Sequence, residues 1–288
     1  MATPLELKTL IDRKIAGLEA SPERFNDIVA ESQKKIYRQL LDLLSSLDID
    51  PEGNIKTTKA NFSRLNQIVD SLQDKIFDGK YEEALSAFSD DFNKTASQSD
   101  NYFNESDFDF KEKPIYKELV KQAQSNVLEM LGRNGIDVNF LQPIKNILNQ
   151  SVTTGIKFSD AVDQLNLFIK GSPERLGRLE SYVKQIATDS LFQFDSSYMK
   201  KLGEDVGAEW WRYVGGTIAT TRPFCIQQTE KEWFTTEEVE ELANRQWAGK
   251  IPGTTASSIF SLRGGYNCRH TWIPVSEALV PRTIKEAA

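Results

Sequence analysis

The chain has few of the residues that most often carry chemistry, with one histidine, two cysteines and three methionines among 288 residues. Two cysteines are too few for a disulfide framework, and a single histidine restricts any histidine-dependent nucleophilic triad to His270. The sequence also contains no phosphate-binding glycine loop and no nucleophile-elbow motif. These absences predict a protein that is not an enzyme.

Long apolar runs and an excess of positive charge are missing as well. No stretch of about 18 apolar residues is present, and the first residues lack the apolar segment of a signal peptide. We therefore expect no contact with a membrane and synthesis in a cytoplasm. The 42 acidic residues outnumber the 35 lysines and arginines, for a net charge of −7. Such a charge argues against broad, sequence-independent binding to nucleic acid, which requires a basic face.

Two regions of different amino-acid composition follow one another along the chain. Apolar residues recur at helical spacing through most of residues 1–204, which predicts a helical region. The polar, aspartate-rich residues 96–113 interrupt this pattern and predict a loop or hinge. Residues 205–288 are richer in aromatic and β-branched residues. The predicted fold class is α+β, with a mainly helical N-terminal region followed by a small C-terminal module that contains a β-hairpin.

The hairpin is predicted from residues 210–221. An aromatic, β-branched segment, residues 210–214, is followed by Gly215-Gly216 and then by the threonine-rich residues 217–221. Paired glycines supply the positive φ angles that a two-residue hairpin turn needs. Thr235 and Glu238 have the spacing of a capping box, which predicts a short helix after residue 235. Residues 266–275 predict a last strand.

The C-terminal module contains every tryptophan, cysteine and histidine of the chain. We expect the tryptophans to form the structural core of the module, because clustered indoles more often fill a small core than bind a ligand: Trp210, Trp211, Trp233, Trp247 and Trp272. Cys225, Cys268 and His270 are candidate metal ligands, and strand alternation places Cys268 and His270 on one side. Three states remain open for the cysteines: reduced and packed, joined by a disulfide, or bound to Zn²⁺.

Three arginines, Arg222, Arg263 and Arg269, flank the cysteines in the sequence. They can contact phosphates or form ion pairs, and the acidic chain favours ion pairs within the molecule or with carboxylates of a partner. The nearby acidic residues are Glu230, Glu232 and Glu237.

Five segments of the chain resemble the minor head proteins of tailed phages, the head-morphogenesis family typified by protein F of phage Mu. These segments are residues 190–195, 210–214, 221–225, 233–239 and 263–275. The resemblance covers roughly residues 182–275 and does not extend to the first 180 residues. Members of that family often have histidine near the position of Cys225, and Asn-Cys-Arg-Cys where this chain has Asn-Cys-Arg-His at residues 267–270. Exchanges of Cys and His at both places would break a disulfide but preserve a zinc ligand set.

The resemblance implies a low-copy structural protein of the virion, located in the capsid interior or at the portal vertex and synthesised in the host cytoplasm. Its implied partners are the portal protein and the major capsid protein, with contact to packaged DNA, and its implied roles are head assembly, DNA packaging and ejection. We expect the N-terminal helices to carry the portal contact, because amphipathic helices dock readily on other helices. Two alternatives remain: a neck or adaptor protein at the portal, and an enzyme or effector built on the same module.

Overall fold

The computed structural model describes residues 2–286 and is mainly helical, with a small antiparallel sheet near the C-terminus. This confirms the predicted α+β fold class. The longer helices are α1 (Pro4–Leu44), α2 (Lys59–Ile76), α3 (Gly79–Glu105), α4 (Pro114–Leu131), α6 (Gln142–Thr154), α7 (Phe158–Lys170), α8 (Arg178–Asp205) and α9 (Pro223–Lys231). The short helices are α5 (Arg133–Ile136), α10 (Thr236–Glu241), α11 (Ile259–Leu262) and α12 (Arg282–Lys285). Among the described residues, no helix combines the length and apolar character that crossing a membrane requires.

The chain forms two compact units, each assembled from separate segments. Unit 1 contains residues 1–22, 89–125 and 187–288, and unit 2 contains residues 23–88 and 126–186. The sequence boundary predicted at residue 204 lies inside unit 1. That boundary follows a change in composition, whereas the compact units are interleaved along the chain.

Unit 2 is built on packed helices with an aromatic core. The ring of Phe25 stacks on Phe88 at 5.3 Å between centroids and lies tilted against Tyr81 at 5.6 Å. The hydroxyl of Tyr81 donates a 2.7 Å hydrogen bond to the carbonyl of Leu131, the last residue of α4. A short pair of strands, β1 (Gly171–Ser172) and β2 (Arg175–Leu176), connects α7 to α8.

Unit 1 contains the three-stranded sheet, in which β3 (Trp210–Gly215) is the central strand. On one side β3 pairs with β4 (Trp233–Thr235), and on the other it pairs along its whole length with β5 (His270–Val275). All six residues of β5 are buried. Thr235 caps α10 in a capping box with Glu238, as the spacing predicted.

The predicted hairpin turn at Gly215-Gly216 is wrong. Residues 217–221 do not form a strand, and the exposed fraction of the Ile218 side chain is 48%. The partners of β3 come instead from distant parts of the chain. Pairing with β5 buries a continuous apolar segment, which gives far more hydrophobic stabilisation than the threonine-rich residues 217–221 offer.

The loop or hinge predicted for residues 96–113 is wrong for its first part, because α3 continues to Glu105. Phe92, Ala96, Ser99 and Phe103 follow one another at helical spacing and are all buried. Only residues 106–113 lack helix and strand. There the rings of Phe108 and Phe110 pack on Phe103, at 5.3 and 5.4 Å. These aromatic contacts hold the segment that follows α3 against the helix.

Candidate metal centre

Cys225, Cys268 and His270, the three candidate ligands, lie together in the interior of unit 1. The two sulfur atoms are 3.9 Å apart, and Cys268 Sγ is 3.8 Å from His270 Nδ1. One donor atom from each residue lies within 4.8 Å of the others. The three side chains are only 2–3% exposed. The cluster can therefore hold a metal ion in an enclosed position.

Local structure explains how each ligand reaches the cluster. Cys225 lies in the first turn of α9, which begins with Pro223, a residue suited to the first helical position. His270 is the first residue of β5. Cys268 precedes it in a tight loop where Asn267 has a positive φ of 55°. The backbone N–H of Asn267 donates a 2.6 Å hydrogen bond to Asp189 Oδ1 of α8, which fixes the loop.

Tyr213 of β3 is a member of the cluster that sequence reasoning missed. Its hydroxyl lies 3.3 Å from Cys268 Sγ and 3.6 Å from Cys225 Sγ. Its ring stacks nearly parallel to the imidazole of His270, at 7° and 5.1 Å between centroids. The sequence placed Tyr213 on a predicted strand, but it did not indicate that this strand pairs with β5, next to the two cysteines.

The electrostatics of the two thiols differ. The hydrogen bond with Cys268, together with burial, raises the pKa of Cys225. Burial alone would raise the pKa of Cys268, but hydrogen bonds from Cys225 and His270 and the charge of Arg263 outweigh it and hold this pKa well below its ordinary value. Burial raises the pKa of Tyr213, so its hydroxyl is protonated beside the sulfurs. A thiolate next to a protonated thiol and a phenol is a ready ligand for a cation.

A buried nitrogen without a hydrogen-bond partner and a small cavity lie beside the cluster. His270 Nε2 is buried and has no hydrogen-bond partner in the part of the chain that the structure describes. A cavity of about 40 Å³ adjoins the three candidate ligands and continues toward Thr220 and Arg222. On the cluster's own boundary, a Cβ added to Gly264 would overlap Cys225 Sγ and lie 3.1 Å from Cys268 Sγ.

The five tryptophans lie in two clusters of unit 1 rather than in one. Trp211 and Trp272 are almost fully buried in the same core cluster as Cys225 and Cys268, and Trp247 packs against it. Trp247 stacks on Phe224 at 4.0 Å, and its Nε1 donates a 3.0 Å hydrogen bond to the Gly264 carbonyl. Trp210 and Trp233 belong to a second cluster with Val275 and Val280.

Two of the flanking arginines donate to backbone carbonyl groups. Arg222 donates to the carbonyl of Tyr266 at 2.6 Å. Arg263 is 1% exposed and donates to the carbonyl of Ser261 at 2.5 Å. The carboxylate of Glu232, an expected partner of these arginines, forms an ion pair with Arg212. Arg222 and Arg263 thus support the loops around the cysteines.

A buried ion pair in unit 1 was also missed by sequence reasoning. Lys14 Nζ of α1 lies 2.6 Å from Asp195 Oδ1 of α8, and the two side chains are 2% and 0% exposed. Thr271 of β5 donates a 2.7 Å hydrogen bond to the other carboxylate oxygen. Thr271 also shares a hydrogen bond with Ser196, at 2.9 Å. This network joins the beginning of the chain to the strand that carries His270.

Comparisons with protein-family models, with curated proteins and with solved structures give no match to this chain.

Proposed function

We propose that this protein is a minor head protein of a tailed phage, located at the portal vertex or inside the capsid, and that unit 1 holds one structural Zn²⁺ ion. The supporting observation is the way in which the five segments that carry the family resemblance fold together. They fall between residues 190 and 275, within the last continuous segment of unit 1. The segments at residues 210–214, 233–239 and 263–275 supply the strands of one sheet, and the segments at 221–225 and 263–275 supply the ligands.

The geometry of the ligand cluster supports zinc. Zinc prefers cysteine sulfur and histidine nitrogen in a tetrahedral arrangement. With Zn–S bonds of about 2.3 Å, the edges of such a tetrahedron are about 3.8 Å between sulfurs. The observed separations are 3.9 Å between the sulfurs and 3.8 Å from Cys268 Sγ to His270 Nδ1, and all three ligand atoms lie within 4.8 Å of one another. Because all three ligands are buried, the ion would stabilise the module rather than meet a substrate.

Metal analysis of the chelator-washed chain tests the zinc part of the proposal. We expect one zinc per chain in the wild type and a loss of stoichiometric zinc in Cys225→Ser. Thr229→Ser is a matched control on the same helix, because this residue only donates to the Cys225 carbonyl. Wild-type protein that takes up no stoichiometric zinc would remove the metal from the proposal.

The virion role is tested in particles made by the phage that encodes the chain. Quantitative mass spectrometry should find from a few to about a dozen copies per particle, and a map of the portal vertex should place them at or inside the portal. Absence from mature particles would overturn the structural role. A position on the outer face of the portal would instead support a neck or adaptor protein.

We further propose that unit 2 carries the contact with the portal protein. Leu167 and Leu176 are 62% and 42% exposed, and both line one depression of about 310 Å³ in this unit, together with apolar side chains and with Arg175 and Arg178. Exposed apolar side chains around a concave surface are typical of docking sites for helices. Full-length Leu167→Glu with Leu176→Glu should lose capture by the portal protein, whereas Ile218→Glu in unit 1 should retain it. The opposite pattern would place the contact on unit 1.

A further inference from the structure

A tetrahedral metal ion at the cluster would have one position that the three candidate ligands do not fill. Among the described histidines, cysteines and carboxylates, only Cys225, Cys268 and His270 come together there. Structural zinc sites usually have four protein ligands, whereas catalytic sites leave the fourth position to solvent. The identity of the fourth group therefore decides whether the site is closed or open.

The hydroxyl of Tyr213 lies beside both sulfurs of the cluster. Bonds of about 2.0 Å to oxygen and about 2.3 Å to sulfur give an oxygen–sulfur edge of about 3.5 Å in a tetrahedron. The observed distances from the hydroxyl are 3.3 Å to Cys268 Sγ and 3.6 Å to Cys225 Sγ. The two sulfurs and this oxygen thus already form one face of the expected polyhedron.

The backbone of Gly264 closes this same face. A Cβ at residue 264 would overlap Cys225 Sγ and would lie 3.1 Å from Cys268 Sγ and 3.3 Å from the Tyr213 hydroxyl. Any side chain there would displace the Cys225 sulfur and crowd the other two atoms. The carbonyl of Gly264 is held by Trp247 Nε1, so this close approach is part of a packed structure.

We infer that Tyr213 supplies the fourth ligand, so that the metal would be held by two cysteines, one histidine and one tyrosine, with the protons of the Cys225 thiol and the Tyr213 hydroxyl released to solvent on binding. The inference rests on the metal site proposed above. It places a ligand on the central strand of the sheet, between β4 and β5. The metal would then connect β3, β5, α9 and the loop before β5 in a single centre. Its rival is a solvent ligand from the 40 Å³ cavity, whose lining contains the other three ligands.

Zinc affinity and cobalt spectra of Tyr213→Phe test this inference. The variant removes only the hydroxyl, and we expect zinc affinity to fall by more than the roughly ten- to a hundredfold that the loss of a supporting, non-ligating group causes. The visible absorption of the Co²⁺-loaded protein should change in the same variant. Tyr102→Phe is the matched control, because Tyr102 is an equally buried tyrosine of unit 1 whose hydroxyl donates to the Pro274 carbonyl.

A loss of only about ten- to a hundredfold with an unchanged cobalt spectrum would make Tyr213 a supporting group rather than a ligand and would overturn the inference. Unchanged zinc affinity and an unchanged cobalt spectrum in Tyr213→Phe would overturn the inference and leave solvent as the fourth ligand. Failure of the wild type to bind either metal would instead overturn the metal site itself. If Tyr213→Phe does not fold, a crystal structure of the zinc-loaded wild type decides. A distance of about 2.0 Å from zinc to the tyrosine oxygen supports the inference, and one beyond about 3 Å overturns it.

Discussion

Two lysines of helix α1 form ion pairs of equal length, one of which is buried and the other exposed. The effect of burial on an ion pair can therefore be measured within one helix. Lys14 Nζ lies 2.6 Å from Asp195 Oδ1 with both side chains buried. Lys8 Nζ lies 2.6 Å from Asp12 Oδ2, with side chains that are 61% and 58% exposed. Burial lowers the pKa of Lys14, against the opposing attraction of Asp195. Removing the ammonium group from water thus opposes its charged form more strongly than Asp195 favours it.

Removing one partner of the buried pair should be strongly destabilising. At 2.6 Å the attraction is about 6 kcal/mol with an effective dielectric constant of about 20. Desolvation of the two ions offsets much of this attraction while both are present. A single replacement leaves the other ion buried without its counter-charge. Lys14→Met and Asp195→Leu should therefore each lower the free energy of unfolding by about 3–5 kcal/mol.

The double variant distinguishes this explanation from a simple loss of packing. Lys14→Met with Asp195→Leu removes both charges, so it should be far more stable than the sum of the two single losses allows. Lys8→Met removes an exposed pair of equal length and should leave stability nearly unchanged. All five tryptophans belong to unit 1, so denaturant unfolding followed by tryptophan fluorescence reports on the unit that contains the pair. Additive losses in the double variant would refute the reasoning.

Three more predictions concern the surroundings of the metal centre. Burial raises the pKa of Asp189 to about 6. Between about pH 4 and pH 6, Asp189 is therefore protonated in the folded chain and ionised in the unfolded chain. Its contribution to stability is fully present below about pH 4 and is lost as the pH rises through about 6. Asp189→Asn should reduce the fall in unfolding free energy from pH 4 to 7 by up to about 3 kcal/mol, measured with urea, and an unchanged pH profile would contradict this. Gly264→Ala should abolish zinc uptake and cost about 1–3 kcal/mol through overpacking, whereas Gly79→Ala, whose Cβ meets nothing within 4 Å, should retain both zinc and stability. Excess chelator should lower the free energy of unfolding of the wild type, followed by tryptophan fluorescence, by about 4 kcal/mol if zinc had been present at 1,000 times its dissociation constant, and should not affect Cys225→Ser.

Local signals predicted the local features of this chain well. Helical periodicity gave the mainly helical N-terminal region, and the spacing of Thr235 and Glu238 gave the cap of α10. Cys268 and His270 do lie together with Cys225, as expected, but Cys268 reaches the cluster from the loop before β5 and not through strand alternation. Each of these features depends on residues within a few positions of one another.

The features that sequence reasoning missed depend on distant partners. Gly215-Gly216 has the chemistry of a hairpin turn, but the partner of β3 is the buried strand β5. Residues 96–105 look polar, yet the aromatic residues among them pack inside unit 1 and keep α3 helical. The contacts of Tyr213 with Cys225 and Cys268 require the sheet order, which no local pattern contains.

The interleaving of the two units sets an order of events during synthesis. Both segments of unit 2 have been made once residue 186 is complete, whereas unit 1 still lacks its last and largest segment. Lys14 must therefore stay without Asp195 for tens of seconds at roughly 5–20 residues per second. The buried ion pair of unit 1 can thus form only after every residue of unit 2 has been synthesised.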